Sequence, residues 1–217
     1  MEVTTLLTIF CSVLLASPPK DTDRSQEPPL KITVTIDGKP IESELDQELV
    51  VKGKFNDPKI RVQAAKTRRF NYAGVTFDYP SYFTWESEKE AGIYHSWTMS
   101  GNDCVIILME FDAEISTREI IDGMADATSL YGKPTPVSRT LKNTELHGEK
   151  IVMRLGAADS DDDDMEIVHE VLAIPTSKGR TRILLLQELT PENPETKIVL
   201  DLFSKSFSIE KPRDDKN

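Results

Sequence analysis

Cys104-Val-Ile-Ile-Leu-Met-Glu-Phe111 is followed, four residues later, by Ser116-Thr-Arg-Glu119, and between the two the hydrophobic period of the chain changes. The first run is apolar at almost every position, as expected of a central strand covered on both faces. The second has the form of a capping box, with Ser116 at the N-cap and Glu119 three residues on. Ile120, Ile121, Met124, Ala127, Thr128 and Tyr131 then recur at helical spacing until Gly132 and Pro134 end the element. The helix is expected to bury that stripe on a sheet, with Asp122, Asp126 and Ser129 largely off it.

Extended runs lie on both sides of this junction. Upstream, Val75, Phe77 and Tyr79 share one strand face, and Pro80, lacking an amide donor, stops the ladder. Ile93 to Met99 pairs with the Cys104 strand through Ser100-Gly101-Asn102-Asp103. Downstream come Thr135 to Leu141, Glu149 to Leu155, Met165 to Ile174 and Arg180 to Leu189, the last two separated by Ser177-Lys178-Gly179. Ile183 to Leu186 is apolar on both faces. A second helix begins near Asn193-Pro194, an N-cap followed by an N1 proline. Ile198, Val199, Leu202 and Phe203 give it one stripe, and Phe207 and Ile209 pack beyond its end. Strands, helix, strands, helix, joined mostly as hairpins, predict an α+β fold: an antiparallel sheet with helices packed on it.

The N-terminal part is organised differently. Leu6 to Ala16 has the length and apolarity of a signal-peptide core and is short for a membrane span of about 20 residues. Residues 1–16 are therefore expected to be a signal peptide, although Glu2 stands where a basic residue is usual. The alternative is an uncleaved N-terminal anchor. Residues 17–29, rich in Pro, Ser, Asp and Lys, form a flexible linker. Residues 30–66 form a short β extension: Ile32, Val34 and Ile36 alternate with threonines, Asp37-Gly38 is a hairpin turn, and extended runs are expected at Glu48 to Phe55 and Lys59 to Ala65. The main domain covers 67–210, and 211–217 is a polar tail.

Phe70-Asn-Tyr-Ala-Gly74-Val-Thr-Phe-Asp-Tyr-Pro80, together with Leu202-Phe203-Ser-Lys-Ser206-Phe207 at the far end, resembles PsbP-like domains over residues 68–210. Those domains open on an aromatic, glycine-containing strand ending in proline and close on a helix followed by Ser-Phe. The resemblance implies an α/β/α-type sandwich on an antiparallel sheet. It also implies one of the varied binding and assembly roles of that family, and it carries no functional residue onto this chain.

The formal charge of −11 argues against unaided binding to nucleic acid or to anionic lipid, where basic residues must neutralise phosphates. Lys66, Arg68 and Arg69 stand together, but immediately before a strand, and read as its solvated entrance. With Cys11 in the signal segment, Cys104 alone remains and no internal disulfide can form. Cys104 reads as a buried strand residue and not as a nucleophile.

Three candidate sites follow. Nine of the chain's 15 aromatics fall between Phe70 and Trp97. Most belong to a core, while Tyr82, Phe83 and Trp85, in a less regular stretch after Pro80, are candidates for a ligand groove. Asp159, Asp161, Asp163 and Glu170 occupy positions 1, 3, 5 and 12 of a calcium-loop spacing. Asp164 stands where that loop needs glycine and Glu166 where it needs an apolar residue, so a solvated hairpin loop is the favoured reading and weak Ca²⁺ binding the alternative. His95, His147 and His169 lie in no zinc or nucleophile motif, and no other cofactor is expected. The chain is thus expected to be an exported, periplasmic or extracellular, non-catalytic binding or assembly module. Its partner would be a protein or small ligand of the cell envelope, with membrane contact only through an uncleaved N-terminus. The alternative is a small secreted enzyme with a site assembled from distant residues.

Overall fold

A computed structural model describes residues 27–126, 131–155, 165–176, 179–189 and 193–210 of the chain. The apolar run at the sequence junction is β8 (Cys104–Phe111), third in a seven-stranded sheet. It pairs with β7 (Tyr94–Gly101) on one side and β12 (Thr181–Glu188) on the other. Outward from β7 lies the edge strand β6 (Thr84–Glu90). Outward from β12 follow β11 (Met165–Ile174), β10 (Thr144–Leu155) and β9 (Thr135–Leu141), all antiparallel. The chain leaves β8 for α1 (Thr117–Asp126), crosses to the far edge, and meanders back through β9 to β12.

One face of this sheet is covered by a second sheet. β4 (Thr67–Tyr72) and β5 (Val75–Pro80) form a tight hairpin through Ala73 and Gly74, both at positive φ, and β13 (Ser208–Ile209) adds to β5. Phe70, Val75, Phe77 and Tyr79 of the small sheet share a core with Trp97, Met99, Ile106, Leu108 and Leu184 of the large one. The helix α2 (Pro194–Ser206) closes the same layer with Val199, Leu200 and Phe203. The opposite face carries α1, whose Ile120, Ile121 and Met124 pack on Met109, Ile151, Val171 and Leu185.

This corrects the expected fold class. The described residues form a β-rich sandwich, 55% of them strand and 14% helix, and not an α+β fold of the α/β/α type in which helices form the layers over one sheet. Two helices stand among the described residues, against 13 strands. The physical reason lies in strands that carry little apolar signal of their own. β6, Thr-Trp-Glu-Ser-Glu-Lys-Glu, is held at the sheet edge by its ladder to β7. β4 is held by its hairpin to β5.

Local signals account for the helix starts. Ser116 N donates to Glu119 Oε2 at 2.7 Å and Glu119 N donates to Ser116 Oγ at 3.1 Å, a reciprocal capping box. Asn193 Oδ1 accepts from Glu195 N at 2.9 Å, with Pro194 at N1. The buried stripe of α2 runs through Thr196, Val199, Leu200 and Phe203, and Ile198 is exposed, rotated off the stripe expected from its apolarity.

Ahead of β4, β1 (Lys31–Ile36), β2 (Lys39–Glu44) and β3 (Ile60–Ala64) form a separate three-stranded sheet in the order β2-β1-β3. The extended run expected at Glu48 to Phe55 contains no strand. The Asp37-Gly38 turn instead sends the chain straight back as β2, because a two-residue hairpin leaves no room for a longer excursion.

Candidate functional site

β5 carries Tyr79 directly across from Arg68 on β4, and Phe77 across from Phe70. Period-two alternation turns Arg68, Phe70 and Tyr72 to one face, so the arginine shares the inner side of the small sheet with two rings. That side meets Trp85 on β6 and Trp97 on β7. Tyr79 stacks on Trp85 (centroids 6.2 Å, 22°), Tyr72 stacks on Trp97 (5.8 Å, 11°), and Phe70 lies 5.9 Å from each indole. The result is an aromatic seam between β4–β5 and β6–β7.

The seam is rich in donors that no acceptor among the described residues meets. Trp85 Nε1, Trp97 Nε1, Tyr79 OH and Arg68 Nε are all buried without a hydrogen-bond partner among the described residues. Burying such a group unpaired costs about 1–3 kcal/mol each. Burial raises the Tyr79 phenol well above its ordinary value, Arg68 pulls against that rise, and Glu27 adds to it.

Of the groove residues expected from sequence, Trp85 lies in this seam at 8% exposure. Phe83 is buried in the same core, its ring lying over Gly101, where a Cβ would meet it at 2.7 Å. Tyr82 stands outside at 60% exposure, its hydroxyl accepting from Asn102 Nδ2 at 2.9 Å. Sequence reading left out Arg68, placed among solvated residues, although its alternation with Phe70 and Tyr72 is the signal that turns it inward.

The calcium-loop residues Asp159, Asp161 and Asp163 lie outside the described residues. Glu170 sits in β11, buried, with Oε2 accepting from Arg139 Nε at 2.6 Å. Arg139 Nη2 also lies 3.4 Å from Glu188 Oε1. No group of three or more His, Cys, Asp or Glu side chains among the described residues could hold a metal ion.

Cys104 is 1% exposed, and its thiol is pushed up to about 12 by burial first, with Glu188 adding and Arg139 opposing. A thiol so protonated is no nucleophile at neutral pH. Ser87 Oγ lies 2.9 Å from His95 Nε2, while Glu110, cross-strand from His95, is engaged by Arg182 Nη2 at 2.8 Å. Burial lowers the His95 pKa, Lys89 lowers it further, and Glu110 works against both. His147 Nδ1 lies 2.8 Å from Ser138 Oγ on the exposed β9–β10 hairpin.

His169 is 1% exposed under α1, with Nε2 3.3 Å from Tyr131 OH and Nδ1 unpartnered among the described residues. Burial lowers its pKa from 6.5 to about 4. An unfolded chain takes up this proton near pH 6.5 and the folded protein only near 4. His169 therefore removes stability as pH falls through that window, up to about 3 kcal/mol in all. Urea unfolding at pH 7 and pH 4.5 should show the loss in the wild type, and His169→Gln should flatten that part of the pH dependence. An unchanged slope in the variant would assign the loss to other groups.

No protein-family model and no curated protein matches the chain. What fold and site define together is a β-rich sandwich with a donor-lined aromatic seam between its two layers. Among solved structures, the chain is similar to LpqN of Mycobacterium tuberculosis, described as involved in cell envelope biogenesis. The two are 13% identical, and the match covers 67% of this chain and 91% of that one at a TM-score of 0.39. A likeness at that score carries no argument about function. No helix among the described residues is long and apolar enough to cross a membrane.

Proposed function

We propose that the chain is an exported, non-catalytic binding module whose ligand site is the aromatic seam. The observation that supports the reading is the set of four buried donors, Arg68 Nε, Tyr79 OH, Trp85 Nε1 and Trp97 Nε1, that meet no acceptor among the described residues. A purely structural core would replace them with apolar groups or supply acceptors, because each unpaired donor costs stability. A ligand bearing acceptor atoms and a flat apolar surface would satisfy both the donors and the rings. The apolar run Leu6 to Ala16 supports export, and with it a periplasmic or extracellular location.

A saturation-transfer NMR screen of small carboxylic acids and short peptides tests this reading, run on wild type, Trp85→Phe and Trp97→Phe. Each replacement keeps a ring and deletes one indole N–H. Compounds contacting the wild type should bind about tenfold more weakly to at least one variant, the worth of one well-made hydrogen bond. A wild type that contacts nothing, or contacts unchanged in both folded variants, would defeat the proposal.

The Ser87–His95 contact supports a second reading, a hydrolase with Ser87 as nucleophile and His95 Nε2 as its base. A fluorophosphonate probe should then label the wild type and spare Ser87→Ala. Equal labelling of the two, or none, removes the hydrolase.

A further inference from the structure

The guanidinium of Arg68 is engaged from outside the sandwich by the residues that precede β1. Arg68 Nη1 donates to the Pro28 carbonyl, and Nη2 lies 3.4 Å from Glu27 Oε1. Pro28 is itself buried. A well-formed pair between guanidinium and carboxylate is bidentate, with N···O distances of about 2.7–2.9 Å. Glu27 falls short of that on both counts. It touches one corner at a long distance, and Nε, which points alongside Nη2 in the guanidinium fork, has no partner among the described residues. Across the ladder, the Tyr79 hydroxyl also has no partner among the described residues, and the Tyr79 ring stacks on Trp85. The segment Glu27-Pro28-Pro29 thus places a carboxylate and the carbonyl of a buried proline at a subsite whose donors it fills only in part.

Resting on the reading of the seam as a ligand site, we infer that Arg68, Tyr79 and Trp85 recognise a carboxylate followed by proline in an extended acidic peptide. Glu27-Pro28 of the same chain is the tethered occupant that a partner peptide displaces. The chemistry is consistent at each position. The Nε–Nη2 fork takes both carboxylate oxygens, the Tyr79 hydroxyl adds a donor, and the flat rings suit proline in a preformed extended segment. A tethered segment competes at an effective concentration in the millimolar range, so a free peptide in trans binds the wild type weakly. Removing the Glu27 charge should expose the affinity of the site.

The chain has two tryptophans, Trp85 and Trp97, both in the seam, so intrinsic fluorescence reports on the site directly. The experiment uses the full chain as wild type, Glu27→Gln, Glu27→Gln/Arg68→Lys and Glu27→Gln/Arg68→Met. The probe is the acetylated and amidated peptide Glu-Pro-Pro-Leu-Lys, which copies residues 27–31, together with its Gln-Pro-Pro-Leu-Lys counterpart. Glu27→Gln should give a saturable fluorescence change with the Glu peptide, at least about tenfold tighter than with the Gln one and tighter than wild type by a similar factor. The lysine variant, which keeps the charge and loses the fork, should weaken binding by about tenfold. Circular dichroism melting confirms that each variant is folded. If Glu27→Gln does not distinguish the two peptides, or if both folded Arg68 variants bind as well as their parent, the inference is overturned. Should small acids from the NMR screen still contact Trp85 in that case, only the peptide assignment falls; should they also fail, the seam is no ligand site.

Discussion

Arg139→Met is expected to destabilise the protein by about 3 kcal/mol or more, because it leaves a buried carboxylate without its cation. Glu170 is 8% exposed and its short bond to Arg139 is the contact that compensates its burial. Glu188 shares the same guanidinium. Burial already raises the Glu188 pKa against the pull of Arg139, and removing the arginine leaves that rise unopposed from this side. The effect should be smaller at acid pH, since a protonated carboxyl needs no cation. A carboxyl whose folded pKa is raised is least costly below its unfolded value, and the cost grows as pH rises through the folded one. Urea unfolding of wild type and variant at pH 7 and pH 4.5 checks this, and the His169 titration, common to both, cancels in the difference. Adding Glu170→Gln to Arg139→Met should recover much of the loss. A deficit below about 1 kcal/mol at pH 7, the range of a solvated surface pair, would show that the pair does little.

Gly148→Ala is expected to cost about 3 kcal/mol, at or beyond the upper end of ordinary overpacking. Gly148 lies within β10, where that strand pairs with β9 on one side and β11 on the other. A Cβ there would stand 1.9 Å from the Val171 carbonyl oxygen, 2.8 Å from its carbon and 2.9 Å from Leu172 Cα. All three are backbone atoms, so no side-chain rotation can relieve the clash and the two strands must part. Leu141, Leu146 and Leu172, buried around this point, would lose packing as they do. Gly38→Ala is the control, for a Cβ there meets nothing within 4 Å and only its positive φ opposes the change, at about 1–2 kcal/mol. Comparable midpoint shifts in the two variants would mean that β10 can open at Gly148 without loss.

Legibility followed how local each signal was. The capping box of α1, the Asn193 N-cap of α2, the Asp37-Gly38 turn and the apolar runs of β8 and β12 depend on residues within a few positions of one another, and the structure forms them where the sequence reads them. β6 has one large apolar residue, Trp85, in seven, so no alternation could reveal it. It is a strand because β7 supplies its hydrogen bonds. The same limit applied to the sites: Tyr82, Phe83 and Trp85 are close in sequence, yet Phe83 and Trp85 are buried while Tyr82 is exposed, its ring edge-on to Phe83 at 5.4 Å.

The sequence by itself determined where the two helices begin, where the apolar strands β8 and β12 lie, that Cys104 would be buried, and that strands would pair as antiparallel hairpins, since period and capping are short-range properties. Only the tertiary structure decided that a second sheet, more than helices, covers the first. That choice depends on β4 and β5 pairing and then burying Phe70, Phe77 and Tyr79 against strands up to about a hundred residues away. It also decided the company of Arg68. Alternation turns the side chain inward, but Trp85 and Glu27 reach it from distant parts of the chain, and only their meeting makes a charged strand residue into part of a site.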